Sequence, residues 1–125
     1  MTFGSERLID ELKNLEFEVT KQVSPNGIEF AVIAPYEIEL GKFAGRIIEL
    51  GLQCTPDFPR SVHSSIHVKA DPQLYEKSDS MPKVRNITDS SLGTEWRYWS
   101  QNFNWTADGT ARRLISQINN IFLNA

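Results

Sequence analysis

Cys54, His63 and His67 are the one cysteine and both histidines of the chain, the side chains that thiol catalysis and transition-metal binding most often use. A nucleophilic cysteine needs a partly exposed, electropositive setting. Cys54 instead continues the alternation of Ile48, Leu50 and Leu52, which puts it in register with a core stripe. It therefore reads as a buried, inert thiol. The alternative is an acceptor thiol, exposed by the Thr55–Arg60 turn and served by His63 or His67. The two histidines lie in a stretch that reads as a strand. Residues four apart on a strand share a side but stand about 13 Å apart, too far to hold one ion. With a single cysteine and no H-E-x-x-H pair, neither a metal site nor an intrachain disulfide is expected.

The remaining polar groups are less specific. Glu16 with Glu18, and Glu37 with Glu39, alternate along faces that read as wet, so they are expected to be solvated charges. Ser78, Ser80, Thr88, Ser90 and Ser91 have no base beside them in sequence, although a fold can bring His63 or His67 near. There is no glycine-rich phosphate loop and no Gly-x-Ser-x-Gly elbow, and no cofactor is expected. All three tryptophans fall between positions 96 and 105, beside Tyr98 and Phe103. Trp96, Trp99 and Phe103 fit one face of a short helix and read as core filling. On that helix Tyr98 points away from them, so it is a candidate exposed anchor. Trp105 precedes a helix cap and is placed to staple that helix to the loop before it.

The elements that must position these groups follow from periodicity. Leu8, Ile9, Leu12 and Leu15 have helical spacing behind a Ser5 cap, giving a helix over 6–14. Leu15, Phe17, Val19 and Val23 alternate with polar residues, and Ile28, Phe30, Val32 and Ala34 mirror them. Ser24-Pro25-Asn26-Gly27 between the two sets is a strong turn, so 15–34 reads as a hairpin ended by Pro35. A third strand spans 46–54. The prolines of Thr55-Pro56-Asp57-Phe58-Pro59-Arg60 then force a crossing, and a fourth strand spans 62–68. Residues 70–92 are polar and aperiodic and read as a long irregular loop. After the aromatic helix, Thr106 or Asp108 caps a last helix with Ala111, Leu114, Ile115, Ile118, Ile121 and Phe122 on one face. The expected fold is α+β: an N-terminal helix, a four-stranded antiparallel meander, the loop, and one short and one long C-terminal helix. The helices pack on one sheet face, in a single domain over 1–125.

Composition narrows the function classes. The chain has 125 residues, 40% hydrophobic and 23% charged, enough to bury a core without staples. A net charge of −3 and a pI of about 5.4 argue against nucleic acid as a partner. No apolar run has the length of a membrane span, and the N-terminus does not read as a signal sequence. No membrane partner is expected and the chain reads as cytoplasmic.

Three segments carry a resemblance. Gly41-Lys42-Phe43-Ala44-Gly45-Arg46-Ile47-Ile48-Glu49-Leu50 resembles the glycine-flanked approach to the third strand of the ubiquitin-conjugating-enzyme fold. Asp57-Phe58-Pro59 resembles that fold's aromatic–proline step. Trp96-Arg97-Tyr98-Trp99-Ser100, Trp105 and an amphipathic helix are similar to the tail of the prokaryotic ubiquitin-conjugating-like family E. The resemblance spans about residues 15–123. It implies bacterial ubiquitin-like conjugation, with a ubiquitin-like modifier or its activating enzyme as partner. A conjugating enzyme carries its modifier on a cysteine in the segment after the fourth strand, usually behind His-Pro-Asn. Here that segment, Ala70 to Gly93, has no cysteine and reads Ala70-Asp71-Pro72-Gln73 at the nearest point. No catalytic residue carries over. The expectation is a noncatalytic adaptor, with Tyr98, Trp105 and Phe58 as candidate binding residues. The alternatives are a conjugating enzyme using Cys54, and a structural or defence-system subunit that binds some other protein.

Overall fold

The computed structural model describes residues 3–81, 85–101, 103, 105, 106 and 109–125, with the backbone alone at 78–81, 85 and 86. Helix α1 (Ser5–Asn14) buries Leu8 and Leu12, the stripe that its periodicity predicts. Ser5 is not its cap. Gly4 occupies that position at φ 77°, a left-handed conformation that suits glycine, and its N–H donates to the Phe58 carbonyl at 3.0 Å.

Strands β1 (Val19–Val23) and β2 (Glu29–Glu37) form the expected hairpin, its last pair being Val23 with Glu29. Ser24 closes the turn. Its carbonyl accepts from Gly27 N–H at 2.9 Å and its hydroxyl from Ile28 N–H at 3.1 Å. Pro35 does not end β2. The register shifts between Ile33 and Tyr36, and the bulge lets the strand continue to Glu37. Strands β3 (Ile47–Gln53) and β4 (Ser65–Lys69) complete an antiparallel meander.

The second half departs from expectation. The polar stretch contains strands β5 (Ser78–Met81) and β6 (Arg85–Ser90), and the aromatic cluster is not a helix but strand β7 (Gly93–Ser100). The sheet has seven strands in the order β1-β2-β3-β4-β7-β6-β5, rather than four. Every pair is antiparallel, so two meanders meet where β4 pairs with β7. The cause lies in the faces of β7. Trp99 is fully buried on the helix-covered side, against Tyr75 and Phe122, while Trp96 joins Phe30 and Val32 on the other. Aromatic residues on both faces erase the apolar–polar alternation, and the i, i+3 spacing that remains imitates a helix. Among the described side chains of β6, Ile87 alone meets the core, so its sequence looks like a loop.

Helix α2 (Ala111–Asn124) buries Ala111, Leu114, Ile118 and Phe122 over the same sheet face as α1, giving a two-layer α+β arrangement. Its cap is Thr110, whose Oγ1 accepts from Arg113 N–H; Thr106 lies ahead of the helix, and Asp108 falls outside the described residues. A second cap comes from α1, where Glu11 Oε1 accepts the Ala111 N–H at 2.8 Å while the other oxygen pairs with Arg7. This carboxylate sits at the positive end of the α2 dipole and ties the two helices together. Glu11→Ala is expected to lower the unfolding free energy in urea by about 1–2 kcal/mol, and Glu11→Gln, which keeps an acceptor, by less. Equal losses for the two variants would show that the acceptor has no such role.

Candidate functional site

A connected polar assembly lies on the sheet face that carries no helix. His67 points there from the middle of β4, 2% exposed, with β3 on one side and β7 on the other. Its Nδ1 is 2.7 Å from Ser90 Oγ and its Nε2 is 3.5 Å from Ser65 Oγ; that oxygen in turn is 2.7 Å from His63 Nδ1. Leu92 N–H also donates to Ser90 Oγ, at 3.1 Å. His67 is neutral, its pKa pushed down to about 4 by burial and then by the nearby His63, and each ring nitrogen faces a serine hydroxyl. Ser65 Oγ thereby lies between the two imidazoles. His63, half-buried, is also held below the ordinary histidine range by burial.

Aromatic rings close the assembly. Phe30 and Tyr98 both meet the His67 ring edge-on, with centroids at 4.8 and 5.2 Å, and Tyr98 also reaches His63 at 6.5 Å. Gly51 makes room for the cover: a Cβ there would stand 2.8 Å from Leu92 Cδ1 and 3.3 Å from the Trp96 ring. The parts are those of a serine–imidazole pair. Their setting is not, because Ser65 and His67 are both buried and an imidazole with a pKa near 4 is a weak base. The chain satisfies the polar atoms of a histidine enclosed in a sheet.

The sequence-predicted residues fall into separate places. Cys54 follows β3 with a half-buried side chain packed against the helix-side core; its Sγ is 3.8 Å from the Leu52 carbonyl. Burial, and then the negative charge of Glu29, push its thiol up to about 11. Among the described residues no hydrogen bond joins it to either histidine. His63 and His67 are not the distant strand pair that their spacing predicts. The strand starts at Ser65, the chain turns just before it with Ser65 N–H on the His63 carbonyl, and both rings reach one serine oxygen. Tyr98 does not point away from Trp96; as alternate residues of β7 they share the helix-free face, and Trp99 takes the other.

Phe58 and Trp105 are brought together, with centroids 6.1 Å apart. Trp105 Nε1 donates to the Pro59 carbonyl at 2.7 Å, and Phe58 is buried. This contact anchors the proline step rather than offering a free surface. Gly109 is needed for it, because a Cβ at that position would stand 2.5 Å from the Trp105 ring. Of the hydroxyls that a fold could bring near a histidine, Ser90 is the one placed against His67. No protein family, curated protein or solved structure matches this chain.

The His67 environment sets a pH dependence. A base whose pKa is depressed on folding binds its proton more readily in the unfolded chain. Its contribution to stability is therefore complete above about pH 6.5 and lost as pH falls toward 4. From this group alone the protein should be about 2 kcal/mol less stable at pH 5 than at pH 7, with His63 acting in the same direction. His67→Leu should remove most of that slope in urea titrations. The His67 ring protons in NMR spectra of the native protein should show no titration above pH 5; a midpoint near 6.5 would contradict the account.

Proposed function

We propose that the chain works by binding another protein and not by carrying out covalent chemistry. The resemblance in its sequence makes that partner a ubiquitin-like modifier or its activating enzyme, in a bacterial conjugation system. The reading rests on one observation above the rest: the single thiol is half-buried, held up near 11, and has a carbonyl, not an imidazole, as its partner. Thioester exchange requires a thiolate, and at neutral pH such a group supplies almost none. The segment in which a conjugating enzyme keeps its acceptor cysteine has none here, and part of it is built into β5 and β6. The buried His67 and Ser65 add no accessible nucleophile.

Thiol labelling tests the chemical half of the reading. With 5,5′-dithiobis(2-nitrobenzoate) at pH 8, native Cys54 should react on the order of 100-fold more slowly than the same thiol in denaturant. Incubation with ATP, a bacterial ubiquitin-like protein and its activating enzyme should give capture without a reducible adduct. A thiol-sensitive adduct that disappears in Cys54→Ser would establish the enzyme reading instead.

A further inference from the structure

An open groove of about 820 Å³ crosses one end of the helix-free face, over the adjacent strands β2, β3, β4 and β7. Its walls combine Ala34, Ile47, Glu49, Lys69, Asp71 and Glu95. Ile47 is 63% exposed, the most exposed of the large hydrophobic residues among those described. Glu37 pairs with Ile47 in the β2–β3 register and adds a further carboxylate at the rim. Four acids thus face or flank the groove against Lys69 and Arg46, and the Arg46 guanidinium is held on the Pro72 carbonyl.

Lys69 occupies the centre. Its Nζ is 3.5 Å from Glu49 and 3.2 Å from Glu95, so the two carboxylates lie within about 7 Å of each other. Carboxylates no farther apart than that are within reach of the side chains of residues i and i+2 of an extended chain, whose repeat is about 7 Å. Three strand-to-strand steps of about 4.8 Å give the groove room for roughly four extended residues. The floor is partly apolar, through Ala34 and Ile47, as the aliphatic stems of long cationic side chains require.

We propose that this groove docks an extended basic segment of a partner protein, with Lys or Arg at alternate positions meeting Glu49 and Glu95 and an aliphatic side chain against Ile47. The assignment rests on the protein-binding reading and gives it a surface and a chemistry. The surplus of carboxylates repels phosphate-bearing partners. A second copy of this chain would bring the same acids face to face across a two-fold axis, which disfavours it.

The test uses a fluorescein-labelled octapeptide with arginines at two alternate positions and a valine two residues after the second, measured by anisotropy against the full chain. A peptide with glutamates in place of the arginines is the control. Only the basic peptide should bind, and binding should disappear at about 0.5 M salt. Glu49→Gln with Glu95→Gln should weaken binding about tenfold. Lys69→Gln, which frees both carboxylates, should strengthen it about threefold, a direction that a purely structural role of Lys69 does not give. Circular dichroism of each variant checks the fold. Equal binding of both peptides, indifference to the glutamate pair, or self-association that Ile47→Ser abolishes would each overturn the proposal. If the ubiquitin-like protein or activating enzyme is captured equally by wild type and the Glu49/Glu95 variant, the groove assignment falls and the protein-binding reading stands. If the basic peptide binds as described and neither protein is captured, the groove stands and the conjugation partner is wrong.

Discussion

An imidazole enclosed in the middle of a sheet has nowhere to find water, and His67 is in that position. β4 is the central strand, hydrogen-bonded on both edges, and four of its five residues are buried. Ile66 and Val68 face the helices and need only apolar neighbours. His67 faces the other way and needs two polar partners, or its burial costs several kcal/mol. Ser65, two residues earlier on the same face, supplies one. Ser90 supplies the closer one from β6, across the intervening β7. The requirement therefore bears on how the second meander sits against the first, because a shift of β6 by one residue would turn Ser90 away to the opposite face.

The same constraint orders the rest of the helix-free face. With Ser90 fixed, the turn after β6 brings Leu92 back over Gly51, where a larger residue would collide with it. Trp96 and Tyr98 then follow on β7, the first against Phe30 and Val32 and the second over both histidines. This small cluster is a second, thinner core on the face that no helix covers. The main core lies on the other side and closes through the contact between the helices, where the Glu11 carboxylate spans α1 and the first turn of α2. On each face a polar contact between segments distant in sequence, His67 with Ser90 on one and Glu11 with Ala111 on the other, sits within apolar packing.

These contacts explain what was legible in the sequence. The first half of the fold and the last helix were, because their signals are local: the stripe of Leu8 and Leu12, the alternation through β1 and β2, the Ser24–Gly27 turn, and the Ala111–Phe122 face of α2. The strands between were not, because β7 is apolar on both faces and, among the described side chains of β6, Ile87 alone touches the core. Strand character there comes from pairing with β4, a non-local contact that periodicity does not register. The burial of Cys54 against the core was partly legible from its register with Leu50 and Leu52. The convergence of His63 and His67 on Ser65 was not, since it depends on where the strand begins.

The sheet also separates chemistry from exposure. Cys54 belongs to the helix-side core, while His67 belongs to the opposite face, with the sheet between those two environments. Bringing the thiol and the His67 imidazole together would require β4 to flip its alternation, turning Ile66 and Val68 out of the core and leaving Ser90 without its partner. The features that remain open to solvent are of another kind: an exposed isoleucine, a row of carboxylates, and one lysine held between two of them. Such surfaces select partners by shape and charge, and their contribution to affinity is small per contact and sensitive to salt. A fold that buries its reactive groups and leaves charge at the surface is suited to reversible association, and that is the physical argument behind the proposed binding role.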